Sequence, residues 1–174
     1  MGSSRLATYA ADEVTITIIH KKLGLSHTLS GFSTDSKVTI ERATDTWEHQ
    51  TGVDDTTTRV YSANRSSKIT LHLSQGSSSN DVLTALHEYD VRRKDSSGIF
   101  AIQVKDNSGR TTFFSPEAYI GVPPTATFNQ SLTNRDWVIQ CTRGSTYLGG
   151  NGPVDAEDVA VMQTLGFAID PKWI

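Results

Sequence analysis

The chain has 174 residues, 36% hydrophobic and 20% charged, with 19 Asp and Glu against 16 Lys and Arg, the composition of one soluble domain with a single sizeable core. It holds no run of the roughly 18 apolar residues that a membrane helix needs, and its one cysteine, Cys141, excludes an intrachain disulfide and a Cys-based zinc cluster. A formal charge of −3 argues against a dedicated nucleic-acid binder, whose affinity comes from clustered Lys and Arg.

The charge is unevenly placed. Residues 144–174 carry Asp155, Glu157, Asp158 and Asp170 against Lys172 alone, so residues 1–143 are formally neutral. The start, Met1 to Tyr9, lacks the apolar run of a signal peptide, and export by the general secretory route is not expected.

Ser and Thr account for 41 residues, many of them Thr in period-two alternation, which predicts half-buried sheet rather than a helical bundle. The first run sets Val14, Ile16 and Ile18 against Thr15 and Thr17. The second sets Val38 and Ile40 against Lys37, Thr39 and Glu41. Residues 43–66 then form a polar excursion longer than the roughly 12–15 residues beyond which loops are usually functional or disordered. It contains its own short strand at 57–61 and reads as an extended arm or long hairpin.

The cleanest alternation follows, with Ile69, Leu71 and Leu73 against Lys68, Thr70, His72 and Ser74; its polar face must meet water or a polar partner. After Ser77-Ser78-Ser79-Asn80-Asp81, the residues Val82, Leu83, Leu86 and Tyr89 fall on one helical face. A helix over about 79–91 is predicted, capped by Ser78 or Ser79 and closed by Arg92, Arg93 and Lys94. Phe100, Ile102 and Val104 alternate with Ala101, Gln103 and Lys105 and enter the turn Asp106-Asn107-Ser108-Gly109, predicting a hairpin into 110–115. The last strong strand, 136–143, points Trp137, Ile139 and Cys141 to one side and Val138, Gln140 and Thr142 to the other.

Residues 144–152 are rich in Gly and Ser and read as a linker. Pro153 then precedes a short helix over 154–165, with Val159, Met162 and Leu165 inward and Gly166 as its stop. The fold class predicted is mainly β (α+β): two packed antiparallel sheets or a partly open barrel, one flanking helix, a long hairpin arm and a short C-terminal helical extension. The division expected is a β-sandwich domain over 1–143 and a linker with its extension over 144–174.

A search for chemistry returns little. The five histidines, His20, His27, His49, His72 and His87, show no metal-ligand spacing and read as scattered, solvent-facing residues, although His72 lies on a polar strand face. There is no Gly-x-Ser-x-Gly elbow, and with Ser and Thr so abundant a Ser-His-Asp combination arises by chance. The 149–153 stretch lacks the Lys-Ser/Thr of a phosphate loop, and Asp54-Asp55 and Asp155–Asp158 lack the alternating oxygen ligands of a calcium loop. No catalytic residue, metal or cofactor is assigned. An enzyme is not expected.

Taken in order, several segments resemble the tail tube proteins of contractile-tailed bacteriophages. They are Ala7-Thr8-Tyr9 with residues 14–18, Val38-Thr39-Ile40-Glu41-Arg42, Thr51-Gly52-Val53-Asp54-Asp55, Arg59, and Ser62 through Leu71. The most distinctive is Leu73-Ser74-Gln75 followed by Ser77 through Leu83; likeness extends to 104–111 and Arg135-Asp136-Trp137. The resemblance implies a non-enzymatic former of homohexameric rings, stacked into a hollow inner tube that DNA traverses during ejection. Its partners would be further copies of itself, the tail sheath, and baseplate and tail-terminator proteins, without a membrane. It would be assembled in the bacterial host cytoplasm and reside in the virion tail.

On that reading the arm, with Trp47, Glu48, Asp54, Asp55 and Arg59, connects rings. The polar face Lys37, Thr39, Glu41, Lys68, Thr70, His72 and Ser74 meets the lumen or a neighbouring subunit, and joining sheet edges between protomers would remove their exposure. Asp155, Asp158, Met162 and Trp173 of the tail would contact the sheath or adjacent tube subunits. Family members commonly carry Gly after the acidic residue where this chain has Asp54-Asp55, so the arm tip is expected to turn differently. The tube of a type VI secretion system or of a phage-derived contractile particle is the alternative assembly. A monomeric carbohydrate-binding β-sandwich is a different class, and would need Trp47, Trp137 and Trp173 on an exposed platform.

Overall fold

The computed structural model describes residues 6–174, so part of the N-terminal stretch read for a signal peptide, residues 1–5, lies outside the described residues. The strands are β1 (Val14–His20), β2 (Leu25–Thr28), β3 (Val38–Arg42), β4 (Trp47–Thr51), β5 (Thr57–Tyr61), β6 (Ser67–Ser74), β7 (Phe100–Asp106), β8 (Thr112–Val122), β9 (Asn134–Cys141) and β10 (Ser145–Tyr147); the helices are α1 (Ser79–Arg93) and α2 (Ala156–Thr164). The mainly-β expectation holds. An antiparallel sheet runs in the order β2-β1-β7-β8-β9-β6-β3, with β10 also on β8, while β4 and β5 make a two-stranded sheet of their own.

Between the predicted alternatives of two sheets and a partly open barrel, the backbone favours the barrel. Thr28 pairs with Thr17 of β1 and Leu29 N–H donates to Ile16 O, yet Phe32 already bridges Leu73 of β6, with Ser33 N–H donating to His72 O. The segment leaving one end of the sheet thus arrives at the other and stitches the two together. The corner is Gly31, at φ +73° in the left-handed region, where an added Cβ would lie 2.6 Å from Ser77 Cβ.

The period-two pattern fills the interior. Ile16, Ile18, Ile69, Leu71, Leu73, Ile102, Phe113, Ala118, Trp137, Ile139 and Cys141 form one buried cluster. Leu83 and Leu86 bring α1 onto that cluster, and burying each such side chain is worth roughly 1.5–3 kcal/mol. The helix start differs from the prediction: the Ser78 side chain makes no cap hydrogen bond, Ser77 Oγ accepts from Ser79 N, and Ser79 Oγ instead accepts from Ser30 N.

Two features near the C-terminus correct the sequence reading. The stretch 144–152 is not a free linker: β10 pairs with β8, Arg110 N–H donates to Gly150 O, and Arg110 Nη1 donates to Gly152 O at 2.6 Å. Gly149 serves close approach there, since a Cβ would meet Arg110 Cβ at 2.4 Å. In α2, Val159 and Met162 are partly covered, but Leu165 is exposed, because the helix ends at Thr164 and Gly166 turns the chain at φ +81°.

Candidate functional site

The side chains alternating outward from β3, β6 and β9 meet in a paired lattice. Register places Glu41 opposite Lys68 and Lys68 opposite Gln140, Thr39 opposite Thr70, and His72 opposite Asp136. Lys68 Nζ lies 3.2 Å from Glu41 Oε2, His72 Nδ1 lies 2.8 Å from Asp136 Oδ1, and Thr39 Oγ1 lies 3.2 Å from His72 Nε2. Thr39, Glu41, Lys68, Thr70 and His72 are therefore one surface. Lys37 turns away, donating to Val14 O at 3.3 Å with its ammonium 5.5 Å from the Phe32 ring, and Ser74 lies at the end of the row opposite Asn134.

Thr39, His72 and Asp136 have the order of a hydrolytic triad, and the geometry shows why it is not one. The three lie side by side as register neighbours across β3, β6 and β9 on one outward sheet face, the arrangement that abundant Ser and Thr produce by chance, and no oxyanion donor is positioned by it. The lattice leaves no basic stripe on the outer face: Lys68 has the Glu41 carboxylate beside it, and the His72 ring contacts Asp136.

The arm has the opposite character. Every residue of β4 and β5 is exposed. Trp47 pairs across with Tyr61 at 5.0 Å between ring centroids, and the Arg59 guanidinium lies 3.5 Å over the Trp47 ring, a cation–π contact on the same face. Glu48 is on the other face, opposite Val60. At the tip, Asp54 accepts from the Thr56 hydroxyl and from Thr56 N, and these bonds hold its carboxyl below the ordinary carboxylate value. Asp55 has φ +63°, in the left-handed region that a glycine takes readily.

The tail closes on the β7–β8 turn. Asn151 Nδ2 donates to Asp106 Oδ2 at 2.8 Å and to Ser108 Oγ at 3.1 Å, and the Arg110 guanidinium lies 5.0 Å from the Trp173 ring. Met162 and Asp158 line a cleft of about 310 Å³ with Tyr147 and Leu148, while Asp155 stands before α2 without a side-chain cap bond. Trp173 and Met162 are thus held partly against the chain itself.

Sequence reasoning missed a second cleft, about 360 Å³, at the Ser74 end of β6. It is lined by Pro123, Pro124, Ala126, Phe128, Trp137 and Arg135, among others. Its walls come from the irregular 123–133 segment, which carries no periodic signal; Phe128 and Leu132 there are about four-fifths exposed. Asp136 and Gln140 of the lattice were also missed as site residues, although their outward alternation in β9 was legible.

Other expectations change. His20 is fully buried rather than solvent-facing, its Nδ1 accepting from Leu23 N and its ring edge-on to Tyr89, because β1 points it inward with Ile16 and Ile18. The three-tryptophan platform is overturned, since Trp137 is 3% exposed and donates through Nε1 to Asn80 Oδ1. Burial pushes the Cys141 thiol up to about 11, which suits a packed side chain and not a nucleophile. Among the described residues no group of three His, Cys, Asp or Glu is placed to hold a metal, and no helix is long and apolar enough to cross a membrane.

Comparison with known proteins adds to this geometry. The chain is 45% identical to a protein described as structural protein ORF10 of Pseudomonas phage KPP10, over 99% of both chains. Among solved structures, it is similar to the tube-terminating cap of the anti-feeding prophage, with a TM-score of 0.50 at 8% identity, covering 84% of this chain and 95% of the other. It also aligns with the sheath/tube terminator of an extracellular contractile injection system, with a TM-score of 0.45 at 10% identity over 82% and 99%. The first of these structural likenesses concerns the fold alone. The family model described as the Bacteriophage PhiTE tail tube protein matches residues 6–149. With a barrel that carries paired surface charge and a projecting arm, and with that match over most of its length, the chain belongs to the Bacteriophage PhiTE tail tube protein family, non-enzymatic structural proteins of the phage tail.

Proposed function

We propose that copies of the chain join into hexameric rings that stack into a hollow inner tube, through which DNA passes during ejection, inside a contractile sheath. The observation that carries this reading is the arm: a two-stranded sheet separate from the barrel, with all of its strand residues exposed, including Trp47, Val60 and Tyr61. An isolated hairpin is marginal in water, so such an arm finds its stability against another molecule. Trp47 and Arg59 are the anchors expected of an interface, since aromatic and Arg side chains carry most of the binding energy there. In the stack they connect one ring to the next.

Two further features support the reading. The sheet path ends at β2 and β3, each paired on one side only among the named strands, and lateral pairing with a neighbour would satisfy these edges and close the ring. The lattice suits a lumen wall, because Lys68 is paired with Glu41 and Asp136 adds an acid beside His72, which gives phosphates no basic track to bind and lets DNA slide. The acidic tail, with Asp155 and Asp158 exposed, would face the sheath or adjacent tube subunits; baseplate and terminator proteins would meet the tube's two ends. End-to-end likeness to a phage protein supports a virion rather than a secretion device.

Negative-stain microscopy of the purified protein tests this. Rings or tubes of uniform diameter are expected. A strictly monomeric species at high concentration would overturn it.

A further inference from the structure

The cleft and the arm occupy opposite ends of one strand. The arm is rooted where Arg42 of β3 pairs with Ser67 at the start of β6, and the cleft opens beyond Ser74, where Gln75 and Arg135 line it. Those ends are separated by seven steps of about 3.4 Å, on the order of 24 Å. A projection at one end and a socket at the other is the arrangement of a head-to-tail contact, which generates open stacks rather than closed pairs.

The socket holds a charge with no counter-charge. Arg135 is 9% exposed, its Nη1 donates to Thr127 O at 3.3 Å and Thr133 Oγ1 at 3.0 Å, and its guanidinium lies 5.4 Å from the Phe128 ring. Among the described residues no carboxylate forms an ion pair with it; it shares the cleft with the apolar Pro123, Pro124, Ala126 and Trp137 and with the uncharged Gln75, Asn80 and Thr84. A largely buried guanidinium without an anion is costly, and the cost is relieved when a partner supplies one.

The arm tip has the complementary chemistry. Val53 is fully exposed, and the two carboxylates after it differ: that of Asp54 is engaged by Thr56, whereas Asp55 makes no side-chain hydrogen bond or ion pair among the described residues. We propose that the arm tip of one copy docks in this cleft on a copy in the adjacent ring, with Val53 against Pro123 and Pro124 and the Asp55 carboxylate against Arg135. This rests on the tube reading and names the socket that the arm fills.

The test joins the two sites covalently. In the full chain carrying Val53→Cys and Pro124→Cys, oxidation of assembled tubes should give a ladder of cross-linked copies on a non-reducing gel, and neither single variant should, since Cys141 is buried. Asp55→Lys should cut mean tube length at least about tenfold while rings persist, and adding Arg135→Glu should restore it. If Arg135→Glu does not fold, as read by circular dichroism, the cysteine pair decides. Wild-type tubes with no ladder from the double cysteine, or tubes of normal length from Asp55→Lys, overturn the docking while leaving the tube reading intact. Wild-type protein that makes neither rings nor tubes overturns both.

Discussion

The barrel and the arm are built from the same kind of strand and end in opposite conditions. In β6 the alternation sends Ile69, Leu71 and Leu73 into a core where each is fully buried, between β9 on one side and β3 on the other. In β4 and β5 alternation also sorts side chains, with Trp47, His49, Arg59 and Tyr61 on one face and Glu48, Gln50, Thr58 and Val60 on the other, but neither face has a second layer to cover it. Strand propensity is thus common to both, and burial separates them. The barrel carries its own stability; the arm belongs to the weakly held parts of the chain until a neighbour completes it.

Two substitutions should break the barrel side of that contrast. Trp137→Ala removes a side chain that is 3% exposed and leaves Asn80 Oδ1 without its donor, at a cost of about 3–5 kcal/mol. Thermal unfolding followed by near-ultraviolet circular dichroism should show the midpoint lowered by roughly 6–20 °C; an unchanged midpoint would contradict the packing. Thr70→Pro should strongly destabilise the barrel, because a strand paired on both sides has no place for a residue without an N–H. A native spectrum from that variant would contradict the central position of β6.

The same contrast explains what was legible in the sequence. β6, β7 and β9 were readable because one buried face and one wet face write period two directly into residue type, as in Lys68-Ile69-Thr70-Leu71-His72-Leu73. Barrel closure was not, since it depends on where Leu29 to Ser33 run relative to β1 and β6, and that short segment carries no periodic signal. The glycines at 144–152 were misread because close approach and flexibility use the same residue. The polar face of β3 and β6 was legible from alternation, whereas the cleft around Arg135 draws on α1, the 123–133 segment and β9 together, a convergence that only the fold supplies.

Between the two extremes lies the tail, tied to the barrel by a few polar contacts. Burial pushes the Asp106 carboxyl up, but bonds from Ser108 and Asn151 and from the Ser108 N–H together hold it below its ordinary value of 3.8. A carboxyl depressed in the fold stabilises above the unfolded value and loses that contribution as pH falls through the folded one. Asn151→Ala should therefore cost about 1 kcal/mol of tail docking, seen as faster amide exchange in residues 144–174 with barrel amides unchanged. Acidification below pH 3.8 should loosen the tail of the wild-type chain as well, alongside barrel contacts such as Glu117 with Arg143. Uniform loosening of barrel and tail in Asn151→Ala would mean that the latch does not act locally.

The smallest effect on stability is expected where the effect on assembly is greatest. Deleting residues 46–58 removes β4, the tip and part of β5, none of which belongs to the buried cluster. The arm is narrow at its base, where Ser62 N–H donates to Thr46 O at 2.9 Å, so joining Asp45 to Arg59 leaves residues 59–61 to span a short gap. The barrel should keep its midpoint within the roughly 0.5 kcal/mol typical of changes remote from a core, and rings should still form through the edges of β2 and β3, but they should not stack. Tubes of normal length from the deletion would show that ring-to-ring contacts come from the barrel ends alone. A large loss of barrel stability would show instead that the arm is part of the folded core, and that the division between a self-sufficient barrel and a dependent arm is drawn in the wrong place.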